Sequence, residues 1–363
     1  MITLLGFGLS TQGVAKFEID HGRAFYWVTN VDERDQLLAA YPTALWREEI
    51  PKETTAVVIS PGIPPHDARL RDCVAPIYTD VDWYFYQKKP DHVMTIGVTG
   101  TNGKSSFVAK LAHALSVAGM RAKAAGNIGV SPFEINDADI LVFELSSFQL
   151  HYTSYAMFDI GVIGSIRPDH LSWHGDFESY KKAKERLSFF CRHLMRGDLN
   201  DQLVCQLTEA HFGVLADLSK YTPLPFRLQL SYQDADWLVI NDSKATNIDA
   251  CLYALSRYSH VKRLYLICGG ILKESISDEW IMMLRQPHVY PVFQGQSSQV
   301  MYDAVKKGVI VKDYRQAILY CQHHGGGVIL FSPAGSSFDQ FKNYMHRGQV
   351  FEQEVMHGFA SIA

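Results

Sequence analysis

A lysine and a serine, Lys104 and Ser105, follow the glycine-spaced run Gly100-Thr101-Asn102-Gly103, and Ser106 completes the set. Backbone amides in such a loop point inward at an anion, the lysine adds a positive charge, and the serine hydroxyl can reach Mg²⁺. The chemistry that needs this combination is the holding of a nucleoside triphosphate. One residue departs from the full phosphate-loop pattern: Val98 stands where a first glycine is expected. For the cradle to work, a strand must deliver the loop and a helix must leave it. Val93, Met94, Ile96 and Val98 form an apolar run of strand length; Phe107, Leu111, Leu115 and Ala118 then share one helical face, which Gly119 would end. The rival reading is an ordinary strand-to-helix turn that happens to carry a lysine.

Further along, Gly126-Asn127-Ile128-Gly129 reads as a turn, and the buried-strand run Ile140 to Phe143 ends on Glu144. A carboxylate in that place is costly unless a cation or donors surround it. The next strand, FDIGVIGSI, runs into Asp169-His170 in the same way. Glu144 and His170, brought to one sheet edge beside Ser105, suggest Mg²⁺ held by substrate phosphates and a few side chains. A helix is expected from about Asp176 to Arg192, with Tyr180, Lys184, Leu187 and Cys191 on one face. Lys184 therefore points where the apolar residues point. Desolvation favours the neutral, nucleophilic form of an amine, whereas a lysine snorkelling from the helix edge is the structural alternative.

Before the phosphate loop, strands ITLL, FYWV, AVVIS and a short one near Ile77 suggest a parallel α/β sheet. The first leads into Gly6-Phe7-Gly8, with Thr11 where a third fingerprint glycine would stand, so the loop fits a diphosphate better than a whole dinucleotide. Residues 192–225 carry no clear chemistry. The last part of the chain repeats an apolar strand followed by small or polar residues: DWLVINDSKATN, RLYLICGG, VYPVFQG and GVILFSPAGSSFDQFKN. A second open parallel sheet would gather Lys244, Thr246, Lys273, Ser336 and Ser337 at one end, and those cationic and hydroxyl groups suit a small anionic substrate.

At 363 residues, two or three domains are expected. The formal charge of −4, without a basic stripe, argues against nucleic acid as the main partner. No apolar run approaches membrane-span length, and the N-terminal stretch, interrupted by Gly6, Gly8 and Gly13, is read as no signal peptide. The six cysteines lie far apart without a CxxC pair, as expected of thiols in a reducing cytoplasm.

Taken together, TGTNGKSS, GNIG, ELSSFQL, NDSKATN and SPAGSSFDQFKN resemble the Mur ligase family over nearly the whole chain, and within it the members that add D-glutamate. The resemblance implies an α/β protein of three domains: a Rossmann-like UDP-substrate domain at residues 1–88, a central P-loop ATPase-type domain at 89–223, and a Rossmann-like amino-acid domain at 224–363. It implies ATP and two Mg²⁺ sites, with UDP-N-acetylmuramoyl-L-alanine and D-glutamate as substrates, in a monomeric cytoplasmic enzyme. Gly100 to Ser106 would hold ATP, with Arg227 and Asp242 adding contacts from the third domain. Ser105, Glu144, His170 and a carbamylated Lys184 would hold the metals, and Lys104, His170, Lys184 and Lys244 would serve the reaction. Leu9, Ser10 and Ser60 match the uridine diphosphate site, Asn127 and Ser147 the muramoyl site, and Thr246, Lys273, Ser337 and Tyr344 the D-glutamate pocket. Most relatives have phenylalanine where Tyr344 stands, and the histidine–asparagine motif that helps seat adenine is not recognisable in residues 192–225.

The expected chemistry is amide formation through an acyl phosphate, in peptidoglycan precursor synthesis. Alternatives are another Mur-family or folylpolyglutamate-type ligase, a degenerate nucleotide-binding homologue without ligase activity, and a nicotinamide-dependent oxidoreductase built on the first glycine turn.

Overall fold

The computed structural model describes residues 1–360. The chain opens with β1 (Ile2–Leu5), α1 (Leu9–Asp20), β2 (Phe25–Val28), α2 (Arg34–Ala40), β3 (Leu45–Arg47), β4 (Ala56–Ile59), β5 (Ile77–Tyr78) and α3 (Asp80–Gln87). The strands pair in parallel in the order β3-β2-β1-β4-β5. Leu4, Leu5, Trp27, Val28 and Val57 to Ile59 are all buried, as in a parallel sheet covered on both faces. The strand order reverses at β1, so the crevice beyond Leu5 and Ile59 is a topological switch point. The short β3 was not among the expected strands; it is largely exposed and lacks an apolar run.

The central sheet follows: β6 (Met94–Thr99), α4 (Lys104–Val117), β7 (Ala122–Gly126), β8 (Ile140–Glu144), α5 (Ser147–Tyr152) and β9 (Phe158–Ile163). After it come the short α6 (Leu171–His174), then α7 (Phe177–Glu185), β10 (Cys191–Arg196) and α8 (Asp201–Phe212). Its strands are parallel in the order β10-β9-β6-β8-β7, which again places the first strand of the sheet at the reversal. The helix expected to reach Arg192 stops at Glu185. A short 3-10 turn over Arg186–Phe189 follows, and Cys191 begins a strand beside β9. Arg186 is held by the carbonyls of Leu150 (2.7 Å) and Thr153 (2.6 Å), which fixes the chain at this break.

Both sheets lie in one compact unit, Met1–Ile166 with Gly175–Tyr221. One apolar cluster runs through them, from Leu4, Trp27 and Val58 to Phe143, Phe158 and Leu187. Burying each such large side chain is worth about 1.5–3 kcal/mol. A polar staple adds direction. Asp82, fully buried, accepts from Thr79 N (3.1 Å) on its own side and from Tyr155 N (3.0 Å) and Ala156 N (2.8 Å) on the other. Gln149 Nε2 donates to Asp80 at 3.1 Å, and Tyr152 OH to the Ile63 carbonyl at 2.8 Å.

The second unit comprises Arg167–His174 and the chain from Thr222 onward. It contains β11 (Gln229–Gln233), β12 (Trp237–Asn241), α9 (Ile248–Arg257), β13 (Leu264–Gly269), α10 (Asp278–Arg285) and β14 (Val289–Gln294). α11 (Ser298–Val305), β15 (Val309–Ile310), α12 (Tyr314–His323), β16 (Gly327–Ala334) and α13 (Tyr344–Ala360) complete it. The order is β11-β12-β16-β13-β14-β15, parallel except for the antiparallel edge strand β11. The loops after β12, β13 and β16 therefore leave the same end of the sheet.

Candidate functional site

The loop between β6 and α4 has the geometry of an anion cradle. Gly100 and Gly103 take φ of +152° and +82°, and Gly103 caps the start of α4. A Cβ on Gly100 would stand 3.2 Å from Leu199 Cδ1 and 3.3 Å from Gly164 Cα, and one on Gly103 would stand 3.3 Å from Leu199 Cβ. Val98 is not in the loop at all: it is fully buried in β6 opposite Glu144 and Val162, so no glycine is needed there. Lys104 Nζ bends over the loop to donate to the carbonyls of Gly100 (3.0 Å) and Thr101 (2.8 Å). Thr101 N donates to Ser165 O at 2.9 Å, and its hydroxyl lies 3.0 Å from Tyr180 OH. Ser105 is buried in the first turn of α4, while Asn102 and Ser106 are half-buried.

Glu144 ends β8 and is buried. The GNIG turn serves it directly: Asn127 Nδ2 donates to Glu144 Oε1 and Asn127 N to Glu144 O, each at 2.9 Å. Gly126 makes this approach possible, since a Cβ there would lie 2.6 Å from the Glu144 carbonyl oxygen. Ser147, buried, opens α5 next to the capping Ser146. Lys184 is only 2 % exposed, as its place among the apolar residues requires. Its Nζ donates to Thr99 Oγ1 at 3.4 Å and lies 5.0 Å from the Tyr180 ring centroid. Thr99, Thr101, Tyr180 and Lys184 thus form a polar patch at the base of the phosphate loop. Among the described residues, no group of three or more His, Cys, Asp or Glu gathers as a metal-only cluster.

At the other switch point of this unit, Gly6 and Gly8 press against Ser60. A Cβ on Gly6 would stand 2.9 Å from Ser60 Cβ, and one on Gly8 would stand 2.5 Å from Ser60 Oγ. Thr11, in place of the fingerprint glycine, is fully buried and donates to Gly6 O (2.8 Å) and approaches Gly8 O (3.0 Å). Leu9 is 75 % exposed at the mouth of the loop. Ser10 hydrogen-bonds Asp80, whose carboxyl burial pushes up against the pull of Gln149, the Val81 amide and Ser10.

The second unit collects the remaining residues. His170 has φ of +55°, a strained value for a non-glycine residue. Its Nε2 lies 3.6 Å from Asp169. Burial would raise the Asp169 carboxyl, but Lys273, His170 and the Asn247 amide (3.2 Å) hold it below the usual range. Lys273 Nζ donates to Thr246 Oγ1 at 3.4 Å. The loop of Lys273 is tied to that of Ser336 and Ser337, with Ile271 N to Ser336 O at 2.9 Å and Ser336 N to Ile271 O at 2.8 Å. Ser337 is buried, and Lys244 Nζ sits 4.2 Å above the Tyr344 ring. Asp242 accepts from Leu228 N (3.2 Å) and Ser332 Oγ (3.0 Å). Burial nevertheless pushes its carboxyl to about 7, against the pull of Ser332, Leu228, Arg227 and Arg347. Arg227 Nε is buried without a hydrogen bond among the described residues.

The structure therefore brings together Gly100 to Ser106 with Lys184, Asn127 with Glu144, Ser60 with the first glycine turn, Thr246 with Lys273, Lys244 with Tyr344, and Arg227 with Asp242. His170 is grouped with Asp169, Asn247 and Lys273 in the second unit. Sequence reasoning missed Leu199, whose side chain packs on both loop glycines from residues 192–225, because an isolated leucine carries no chemical signal. It also missed Arg347, although that residue lies one helical turn beyond the SPAGSSFDQFKN segment, past Tyr344.

The family profile for the Mur ligase middle domain matches residues 98–197. A UDP-N-acetylmuramoylalanine–D-glutamate ligase of Zymomonas mobilis is 28% identical, over 96% of this chain and 96% of its own. One from Chlamydia muridarum is 29% identical, over 98% and 97%. Among solved structures, the UDP-N-acetylmuramate–alanine ligase MurC of Thermotoga maritima superposes with a TM-score of 0.60 at 16% identity, covering 98% of this chain and 99% of that one. The Thermotoga maritima MurF ligase, solved with ADP, gives 0.61 at 14% identity, covering 92% and 95%. The fold is shared with these structures, and the sequence likeness to the D-glutamate ligases runs from end to end. Residues 98–197 thus match the Mur ligase middle domain, and the chain as a whole is similar to the D-glutamate-adding Mur ligases.

Proposed function

We propose that the protein is an ATP-dependent ligase that joins D-glutamate to UDP-N-acetylmuramoyl-L-alanine in peptidoglycan precursor synthesis. The observation that carries this reading is the Gly100–Ser105 cradle, with its lysine, set beside a buried carboxylate and a buried lysine in one α/β unit. The names of the full-length relatives supply the substrates. We assign residues 1–88 to the UDP-substrate, 89–223 to ATP and 224–363 to the amino acid. Leu9, Ser10 and Ser60 hold the uridine diphosphate, and Asn127 and Ser147 orient the muramoyl part. Thr246, Lys273, Ser337 and Tyr344 receive D-glutamate, while Arg227 and Asp242 contact the nucleotide. We take the protein to work as a monomer in the cytoplasm; the free cysteines support a reducing compartment. Among the described residues no helix is long and apolar enough to cross a membrane.

In the reaction, the terminal phosphoryl group leaves ADP and bonds to an oxygen of the substrate carboxylate. The amine then attacks the acyl carbon and loses its proton as phosphate departs, giving amide, ADP and phosphate. The chain's task is positioning and charge compensation. Lys104 faces the phosphates and Lys244 the transferring group, where each offsets developing negative charge. Ser105 and Glu144 present hard oxygen donors of the kind magnesium takes; with His170 and a carbamate on Lys184 they would hold two ions, which when bound supply Lewis-acid charge neutralisation. The shielded amine of Lys184, facing the Thr99 hydroxyl, supports carbamate formation.

The test is phosphate release from ATP with UDP-N-acetylmuramoyl-L-alanine, with and without D-glutamate, against a panel of other amino acids. D-glutamate should be required and preferred. Nucleotide binding without such turnover would leave a non-ligase homologue, the reading that the short segment between β10 and β11 favours. A Lys184→Ala variant should lose at least about a hundredfold in kcat, with partial rescue by a short carboxylic acid. Wild-type rates without any additive would remove the carbamate.

A further inference from the structure

Arg347, in the first turns of α13, is 2 % exposed, and among the described residues it makes no ion pair. Its donors go to neutral oxygens instead. Nη2 donates to Ser243 O at 2.7 Å, Nη1 to Gly335 O at 2.9 Å and Nε to Ser243 Oγ at 3.1 Å. Ser243 Oγ in turn donates to Tyr344 O at 2.8 Å. The third loop is just as close: a Cβ on Gly270 would stand 3.1 Å from Arg347 Nη1 and 2.2 Å from Ser336 O.

These three loops follow β12, β13 and β16, and they carry Lys244 with Thr246, Lys273, and Ser336 with Ser337. One guanidinium thus ties or abuts every loop that supplies the cationic and hydroxyl groups of this sheet end. Asp339 and Asp242 act on this charge only from beyond hydrogen-bond reach. Burying a guanidinium whose hydrogen bonds all go to neutral acceptors is expensive, and an apolar side chain of equal size beside Phe331 would cost less. Only a planar fork can bond two backbone carbonyls and a hydroxyl at fixed angles; a lysine ammonium cannot. Burial lowers its pKa to about 10, so it stays charged at neutral pH.

We infer that Arg347 is a positioning residue for the amino-acid pocket, holding the loops of Thr246, Lys273 and Ser337 in register so that they meet a dicarboxylate together. This rests on the functional reading above. In Arg347→Met and Arg347→Lys the KM for D-glutamate should rise at least about tenfold, while the KM for the UDP-substrate stays within about twofold. Ser243→Ala, which removes one acceptor, should move the same constant about threefold and covers the case in which the arginine variants do not fold. Circular dichroism and thermal melting establish folding. A D-glutamate KM unchanged in the folded variants, or both KM values rising in parallel, overturns the inference. Amide hydrogen exchange separates this outcome from failure of the ligase reading. Exchange at Lys244–Ala245 and Ser336–Phe338 should accelerate in the variants while that of β6 and α4 does not, whether or not the wild type turns over D-glutamate. Unchanged exchange at those loops refutes the clamp by itself.

Discussion

Two glycine loops in this molecule occupy the same topological place and are built for different work. Gly6–Gly8 follows β1 and Gly100–Gly103 follows β6; each leaves the first strand of a parallel sheet where the strand order reverses. In the first loop the glycines make room for Ser60, and the Thr11 hydroxyl closes the turn from inside. In the second they make room for Leu199 and Gly164, and Lys104 and Ser105 follow at once. The first loop offers only amides and hydroxyls, with no cationic side chain before Lys16. A switch point supplies a crevice; the side chains at its rim decide whether a ligand is merely held there or its charge is redistributed in a reaction.

The sharpest way to break this contrast is Lys104→Ala. If the second loop does the electrostatic work, kcat for phosphate release should fall by about a thousandfold or more, with the KM for the UDP-substrate little changed. A loss below about tenfold would put both loops on the same footing.

Asp242 offers a second test, through pH. Burial holds Asp242 at about 7 against an ordinary 3.8, so the folded chain binds this proton more tightly than the unfolded one. Its contribution is fully present below about pH 4 and is lost as pH rises towards 7, by at most about 4 kcal/mol. Urea unfolding should show stability falling over that interval, and Asp242→Asn should flatten the slope. An identical slope in the variant would remove Asp242 as its source.

The first loop, proposed for the UDP-substrate, is probed by Gly6→Ala. A φ of +88° and a Cβ 2.9 Å from Ser60 Cβ should destabilise the chain by about 1–3 kcal/mol and raise the KM for the UDP-substrate but not for ATP. Adding Ser60→Gly should relieve the steric part only. The smallest effect is expected from Thr11→Gly. Restoring the fingerprint glycine removes the hydroxyl that closes the turn and should cost about 1 kcal/mol, read as a shift in urea midpoint. A gain in stability would mean that the threonine is a tolerated defect.

Much of this was legible before any coordinates. Periodicity located β6, α4, β8 and the strand that precedes Lys244, and the spacing of Lys184 with Tyr180 and Leu187 put it on the apolar face, where the structure buries it. The run of that helix was misjudged because its apolar spacing continues past Glu185, whereas the backbone there is captured by the edge of β9. Leu199 could not be found, since its role arises from where α8 begins and not from its side-chain chemistry. Arg347 stayed hidden for a related reason. A charged residue within an amphipathic helix is read as solvated, and only the convergence of three loops turns it inward.

The carboxylate of Asp82 carries a last implication. Because it accepts from backbone amides beside both sheets of the first unit, the crevice after β1 and the loop after β6 are held at a fixed spacing. An inhibitor spanning both crevices would meet a preset distance between them.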